Sequence, residues 1–254
     1  MEKTNRETIF LLYPKKYLGT FMPMDVFGNA LQDQFDTGTA EILWLHNSYD
    51  EPEEMPVDIF FRTEEEMPDI ELEALDMCEG RVLDVGGGAG SHAIILQERG
   101  YDVVALDISP IAVDIMKKRG LSNVVEQNIF NYTGEKFDTL LFLMNGIGLT
   151  GTIDGFKNFL NQAKAFLNDG GQLLFDSSDI TYLYEGIEMP TEKYYGEVVY
   201  QYEYKGEKGE WFNWLYIDPQ LLKQIARESG WVCHLLFDDG QDQYLAEMRL
   251  ADPE

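Results

Sequence analysis

The run most suited to chemistry in this 254-residue chain is Val82-Leu-Asp84-Val-Gly86-Gly87-Gly88-Ala-Gly90, where a β-prone segment ends in a carboxylate and passes at once into four glycines. Glycines there permit positive φ and let a ligand approach the main chain. Free N–H groups at the start of the following helix favour an anionic or carboxylate group. A plain strand-to-helix turn needs one or two glycines, so four behind an acid read as a ligand loop. The dinucleotide fingerprint is G-x-G-x-x-G with an acid about 20 residues further on for the ribose. Here Ser91 stands where the third Gly or Ala of that fingerprint belongs, and Asp84 sits beside the position of a pyrophosphate, which it would repel. The spacing therefore predicts a ligand with no phosphates and with a cation to satisfy.

S-adenosylmethionine has that character. A second carboxylate, Asp107, closes the β-prone run Val103-Val-Ala-Leu-Asp107 and precedes Ile108-Ser-Pro110. Asp107 has two readings, a ribose-binding acid or a cap of the helix begun by Ser109-Pro110; Asp84 upstream favours the first. Asn128, followed by Ile129, and the pair Met144-Asn145 each fall after an apolar run, where a polar side chain either meets a ligand or bonds its own backbone. His92 is expected to support the loop or to be exposed. Arg62, among Asp58 and Glu64 to Glu66, reads as a surface ion-pair partner, with a ligand carboxylate as the other reading. Asp176-Ser-Ser-Asp179 lies on the same edge and is expected to cap or touch substrate. No metal site is expected, because His46, His92 and His234 do not pair with one another or with Cys78 or Cys233 at ligand spacing.

The elements that must position these residues alternate. From Arg81 onward, short apolar runs (81–85, 101–107, 124–128, 137–144, 172–176) are separated by helical patterns (91–99, 109–119, 153–167), the signature of βαβ units in a parallel sheet. A helix after Asp218-Pro219 and two antiparallel strands, 231–237 and 243–250, complete a seven-stranded, mostly parallel Rossmann-like α/β sheet with helices on both faces and an antiparallel C-terminal hairpin. Residues 194–204 and 210–217 read as an inserted β-hairpin, at about 194–217 in a core of 81–254. Residues 1–80 lack the alternation and read as an N-terminal lid or cover, with a short helix over 24–35, acidic connectors at 50–55 and 64–67, and a helix over 70–78.

In this setting residues 81–176 resemble the core of the class I S-adenosylmethionine-dependent methyltransferases. The resemblance implies that Asp84, Gly86, Gly87, Gly88 and Gly90 wrap the methionine part of the cofactor. It further implies that Asp107 and Ile108 hold the ribose, Asn128 and Ile129 meet the adenine, and Met144 and Asn145 face the sulfonium and the acceptor. Asn128 departs from the Asp frequent at that place, although an amide oxygen accepts the same hydrogen bond. In this family an N-terminal lid and an insert after the fifth strand often shape the acceptor pocket. Tyr17, Phe21, Phe27, Tyr195, Tyr202, Trp211 and Trp214 are the candidate lining residues, with ordinary cover packing as the other reading.

Charge and composition narrow the partners. With 19 Lys and Arg against 46 Asp and Glu, the net charge is −27, which argues against a nucleic-acid surface. Asn145 is followed by Gly146-Ile147-Gly148 rather than the Pro-Pro-aromatic run of methyltransferases acting on nucleobase amines, so a small-molecule acceptor is expected. Two distant cysteines, no apolar stretch of spanning length and a mixed-charge start predict a cytoplasmic protein that does not cross a membrane. Nothing in the sequence specifies an oligomeric state. Two other functional readings stand beside methyl transfer: a non-catalytic S-adenosylmethionine-binding module and a nicotinamide-dependent oxidoreductase.

Overall fold

A computed structural model of the chain describes residues 24–186, 188–238, 240 and 242–251. Tyr17 and Phe21 lie outside these residues. In chain order the elements are α1 (Val26–Thr37), β1 (Leu43–Asn47), β2 (Glu53–Met55), α2 (Asp69–Asp76), β3 (Arg81–Val85), α3 (Ser91–Glu98), β4 (Asp102–Asp107), α4 (Pro110–Lys118), β5 (Val124–Glu126), β6 (Phe137–Phe142), α5 (Ile153–Ala163), β7 (Leu167–Ser178), β8 (Glu197–Tyr204), β9 (Glu207–Lys208), β10 (Phe212–Leu215), α6 (Pro219–Glu228), β11 (Trp231–Asp238) and β12 (Gln243–Leu250).

The main sheet has the order β11-β12-β7-β6-β3-β4-β5. β3 pairs in parallel with β4 on one side and β6 on the other, so the chain reverses direction across the sheet at β3. Loops leaving the carboxyl ends of strands on either side of such a reversal open a crevice, where ligands bind in α/β sheets. Period-two alternation sorts the strand residues onto two faces. Leu83, Leu140, Phe142 and Phe175 pack under α5 and α6, while Val82, Val103, Leu141 and Leu174 pack under α2, α3 and α4. The helices start where local chemistry allows. Ser109 Oγ accepts from Ala112 N with Pro110 in the first turn of α4, and Asp218 accepts from Gln220 and Leu221 N at α6.

A second sheet has the path β10-β8-β1-β2, with β9 paired to β8. The 194–217 segment thus does form antiparallel strands, but it extends into a larger sheet by pairing Leu43 with Tyr204 and Leu45 with Tyr202. The connector expected at 50–55 contains strand β2 instead. Glu53 to Met55 have no β-favouring pattern of their own and are held as a strand by pairing with β1. The helix expected to reach residue 167 stops at Ala163, and the strand expected over 124–128 stops at Glu126.

Helix α1 docks the N-terminal part onto the main sheet's helices. Its cap residue Asp25 accepts from Gly28 N and from Ser109 Oγ, the same hydroxyl that caps α4. Val26, Ala30 and Leu31 bury against Ala112 and Ile115 of α4 and Tyr204 of β8. The second sheet is thereby held over the crevice at the end of β3 and β4. Among the described residues, no helix is long and apolar enough to cross a membrane.

Candidate active site

The glycine loop is built by the backbone of β4 as much as by its own residues. Gly86 N and Gly87 N both donate to Leu106 O (2.8 and 3.1 Å), turning the chain out of β3 across the end of β4. Gly86 and Gly88 have φ of +75° and +55°, which an L side chain rarely adopts. The turn brings Gly88 N to Asp107 Oδ2 at 2.9 Å, while Ser109 N donates to Asp107 Oδ1 at 2.8 Å. Asp107 is therefore oriented by one backbone donor on each oxygen, and each oxygen keeps a further lone pair. Burial pushes its carboxyl up to about 6 against the opposing pull of these N–H groups.

Asp84 lies beneath the loop, buried, with its Oδ2 lacking a hydrogen-bond partner among the described residues. Burial raises its pKa, and the nearby His92 and the Ala93 N–H act against that rise. His92 Nε2 is 2.7 Å from Glu71 Oε2, and Arg62 Nη2 contacts both oxygens of Glu71 at 2.6 and 2.8 Å. For His92, burial favours the neutral ring, but the Glu71 hydrogen bond and the Asp84 and Glu71 charges outweigh it and raise the pKa. Glu71 moves the other way: burial alone would raise it, and the bonds from His92 and Arg62 bring it below the ordinary range. Arg62 is thus an ion-pair partner, as one reading of the sequence expects, but its partner is the buried Glu71 on α2, not the neighbouring acids at the surface.

The loop, Asp84, Asp107, His92 and Arg62 line one chamber of about 510 Å³, with Glu71 behind its wall. Of the sequence-predicted set, Asp84, Gly86, Gly87, Gly88, Asp107, Ile108, Asn128, Ile129 and Met144 share its wall, joined by Arg62 and His92. Gly90 and Asn145 stand behind it. Gly90 caps α3, and a Cβ there would meet Leu121 and Met116 at 2.8 Å. Asn145 turns its side chain away to Ser178 Oγ (3.1 Å), and its N–H meets both carboxylate oxygens of Asp176 at 2.9 Å. Asp176, pushed up to about 6 by burial, thereby holds the left-handed backbone of Met144 and Asn145 (φ +62° and +54°). Asp176 to Asp179 form no metal cluster, and none exists among the described residues.

The opposite wall is aromatic. Leu45, Tyr200, Tyr202, Phe212 and Trp214 project from one face of the second sheet, and Tyr216 follows at the end of β10. Phe27 of α1 stacks on Tyr202 (centroids 5.2 Å) and meets Phe60 edge-on (5.0 Å). Gly148, in the loop after β6, is what lets the two walls meet, since a Cβ there would lie 2.1 Å from Trp214 Nε1. Of the aromatics proposed from the sequence, Phe27, Tyr202 and Trp214 line the chamber; Tyr195 does not, and Trp211 is an exposed residue. Phe60, Tyr200, Phe212 and Tyr216 were missed. For the strand residues the signal was present, because Tyr200 with Tyr202 and Phe212 with Trp214 are spaced by two.

A parallel sheet reversed at β3, a glycine loop behind a buried acid and a second acid ending β4 define an α/β fold with its ligand crevice at the topological switch point. The methyltransferase-domain family profile matches residues 60–236, and the chain belongs to that family. A solved S-adenosylmethionine-dependent methyltransferase from Bacteroides fragilis, in complex with S-adenosyl-L-homocysteine, is similar with a TM-score of 0.84 and 37% identity, over 89% of this chain and 95% of that one. The 2-heptyl-1-hydroxyquinolin-4(1H)-one methyltransferase of Mycobacteroides abscessus is 29% identical over 182 residues, 67% of this chain and 71% of the relative. The CcbJ methyltransferase from Streptomyces caelestis shares the fold, with a TM-score of 0.57 at 16% identity over 75% and 99% of the two chains. The activity class is S-adenosylmethionine-dependent methyl transfer, and the oxidoreductase reading is set aside.

Proposed function

We propose that the chamber seats S-adenosylmethionine across the ends of β3, β4 and β6 and presents its methyl group to a small, largely apolar acceptor held by the aromatic wall. The observation that carries this reading is the chemical division of one continuous chamber, with buried carboxylates and open backbone on one wall and aromatic rings on the other. The residues present fit the cofactor. Asp84 Oδ2, buried and without a partner among the described residues, is a place for the α-ammonium group, whose donors would meet that unsatisfied acceptor. Arg62, on the same wall, is the cation for the α-carboxylate. Asp107 offers its remaining lone pairs to the two ribose hydroxyls. Ile108, 67% exposed, and Ile129 offer apolar surface to the base, with Asn128 at its edge. Gly86, Gly87 and Gly88 leave room for the chain between them, while Gly90 and Asn145 act from behind by fixing the helix start and the 144–146 turn.

When bound, the cofactor supplies an electrophilic methyl carbon on a sulfonium. What this chain contributes is positioning: an acceptor atom held roughly 3–3.5 Å from that carbon, aligned and screened from water, accounts for much of the rate without a dedicated base. The aromatic wall suits a flat acceptor, as the relative named for a hydroxyquinolone also suggests. A net charge of −27 disfavours nucleic acid as the acceptor, and cytoplasmic residence agrees with the two free cysteines. In this reading residues 1–80 act as the cover of a core spanning 81–254, and β1 and β2 join the 194–217 segment to form the lid over the acceptor.

The test is an acceptor screen by S-adenosylhomocysteine release, with flat hydroxylated heterocycles set against flexible aliphatic amines and oligonucleotides. Turnover confined to the first group supports the reading. Turnover of oligonucleotides alone overturns it.

A further inference from the structure

Four side chains link the acceptor wall to the protein surface. Tyr216 and Tyr200 line the chamber; their hydroxyls are 3.2 Å apart. Tyr200 OH is 3.2 Å from Tyr49 OH, and Tyr49 OH donates to Glu53 Oε1 at 3.0 Å. Neither Tyr49 nor Glu53 is part of the chamber wall, and Glu53, on β2, is exposed. Asn47 Nδ2 also donates to Glu53 Oε1 at 3.1 Å, fixing the carboxylate at the end of the line.

The polarity of this line is forced. A carboxylate only accepts and each phenol carries one proton. Tyr49 spends its proton on Glu53, so Tyr200 must donate to Tyr49 and Tyr216 must donate to Tyr200. The Tyr216 oxygen is left as an acceptor at the chamber end. Burial holds the Tyr49, Tyr200 and Tyr216 phenols well above their ordinary pKa, so each stays a neutral hydroxyl able to accept on one side and donate on the other. The titratable groups that bear on these phenols are one another, Glu53 and Tyr182.

We propose that Tyr216, Tyr200, Tyr49 and Glu53 form a one-way proton exit from the acceptor chamber to solvent, and that the acceptor is methylated at a protic heteroatom of the hydroxyl type. This rests on the aromatic wall being the acceptor's seat. The acceptor heteroatom uses a lone pair to form its bond to the methyl carbon as the carbon–sulfur bond breaks with its pair going to sulfur. The acceptor's O–H bond then breaks with its pair staying on oxygen, and the proton passes to Tyr216. Tyr216 passes its own proton to Tyr200, Tyr200 to Tyr49, Tyr49 to Glu53, and exposed Glu53 releases one proton to water. Every hydroxyl is reset by rotation, and the sum is one methyl gained and one proton lost by the acceptor.

The experiment uses the full chain with Tyr49→Phe and Glu53→Gln, two changes outside the chamber wall. The probes are 2-heptyl-1-hydroxyquinolin-4(1H)-one and 4-nitrophenol. Initial rates are followed by S-adenosylhomocysteine release from about pH 6 to about pH 10. The expected result is a kcat lowered roughly ten-fold in Tyr49→Phe at the acid end, with KM for the probe within about two-fold, and a deficit that closes at the alkaline end where the probe arrives already deprotonated. Glu53→Gln shows the same shape. A loss of equal size at every pH, or no loss in either variant, overturns the relay. If the unaltered protein binds S-adenosylhomocysteine and turns over neither probe, the acceptor reading fails, and the relay fails with it.

Discussion

Replacing Asp107 by Asn changes one atom in the site and separates what the carboxylate does for the fold from what it does for the ligand. Each oxygen of Asp107 accepts one backbone N–H, from Gly88 at 2.9 Å and Ser109 at 2.8 Å. The amide keeps one accepting oxygen and turns an NH2 group toward the other donor, so one hydrogen bond to a charged group is lost, about 1.5–3 kcal/mol. Against that, a carboxyl pushed up to about 6 from the ordinary 3.8 carries a net penalty of roughly 3 kcal/mol when ionised at neutral pH, burial outweighing its hydrogen bonds, and the neutral amide escapes it. The two effects nearly cancel, and the melting temperature of Asp107→Asn is expected to stay close to that of the unaltered protein. For the ligand there is no such compensation. One of two ribose hydroxyls loses its charged acceptor, and a further 1.5–3 kcal/mol corresponds to S-adenosylhomocysteine binding weakened roughly 10- to 150-fold. The assay is calorimetric titration beside a thermal melt of the same preparation. Affinity within about two-fold of the unaltered protein in a folded variant would falsify the ribose assignment.

Acid should weaken S-adenosylhomocysteine binding, because protonation turns one accepting oxygen of Asp107 into a donor and leaves the other a neutral, weaker acceptor. Below about pH 6 the dissociation constant should rise up to ten-fold per pH unit, and a flat profile between pH 7 and 5 would contradict it. Folding stability responds with the opposite sign at this residue: between 3.8 and about 6 the folded protein binds the extra proton, so any stability margin of Asp107→Asn over the unaltered protein should shrink as pH falls through 6, read by paired melts. Gly148→Ala should push the Trp214 indole off the loop after β6, lowering acceptor turnover at least several-fold while leaving S-adenosylhomocysteine affinity unchanged; a loss of cofactor binding instead would place Trp214 in the wrong half of the chamber. Arg62→Met should leave the Glu71 carboxylate buried with His92 as its remaining partner and cost about 3 kcal/mol in denaturant melts. Adding Glu71→Gln should recover part of it, and a single variant of undiminished stability would remove Arg62 from the network.

The βαβ half of the molecule was legible because its signals are local. The Asp84 loop, the Ser109-Pro110 and Asp218-Pro219 caps and the β11–β12 hairpin, which runs only from Trp231 to Leu250, all declare themselves within short stretches of chain. The second sheet was only half legible. β8 and β10 alternate plainly, but β1 is five residues long and finds its partner more than 150 residues away, Leu43 opposite Tyr204. β2, Glu-Glu-Met, is a strand only because β1 lies beside it. The same reasoning covers the site. Asp84 and Asp107 end strands of one sheet, and their convergence follows from topology. Arg62 meets Glu71, and Glu71 in turn meets His92, through a turn and two helices that no periodicity relates, so its place in the wall could not be read from spacing. Tyr49 and Tyr200 likewise touch only because β1 pairs with β8.

The central claim is that one chamber, floored by Asp84 and Asp107, binds an adenosyl sulfonium and rejects a dinucleotide. Its most direct test is parallel calorimetric titration of the purified protein with S-adenosylmethionine, S-adenosylhomocysteine and NADH. The account predicts saturable binding of the first two with one site per chain and no heat of binding from NADH. Binding of NADH in place of the other two would contradict it, because the carboxylate of Asp84 would then be tolerating the pyrophosphate it is placed to exclude.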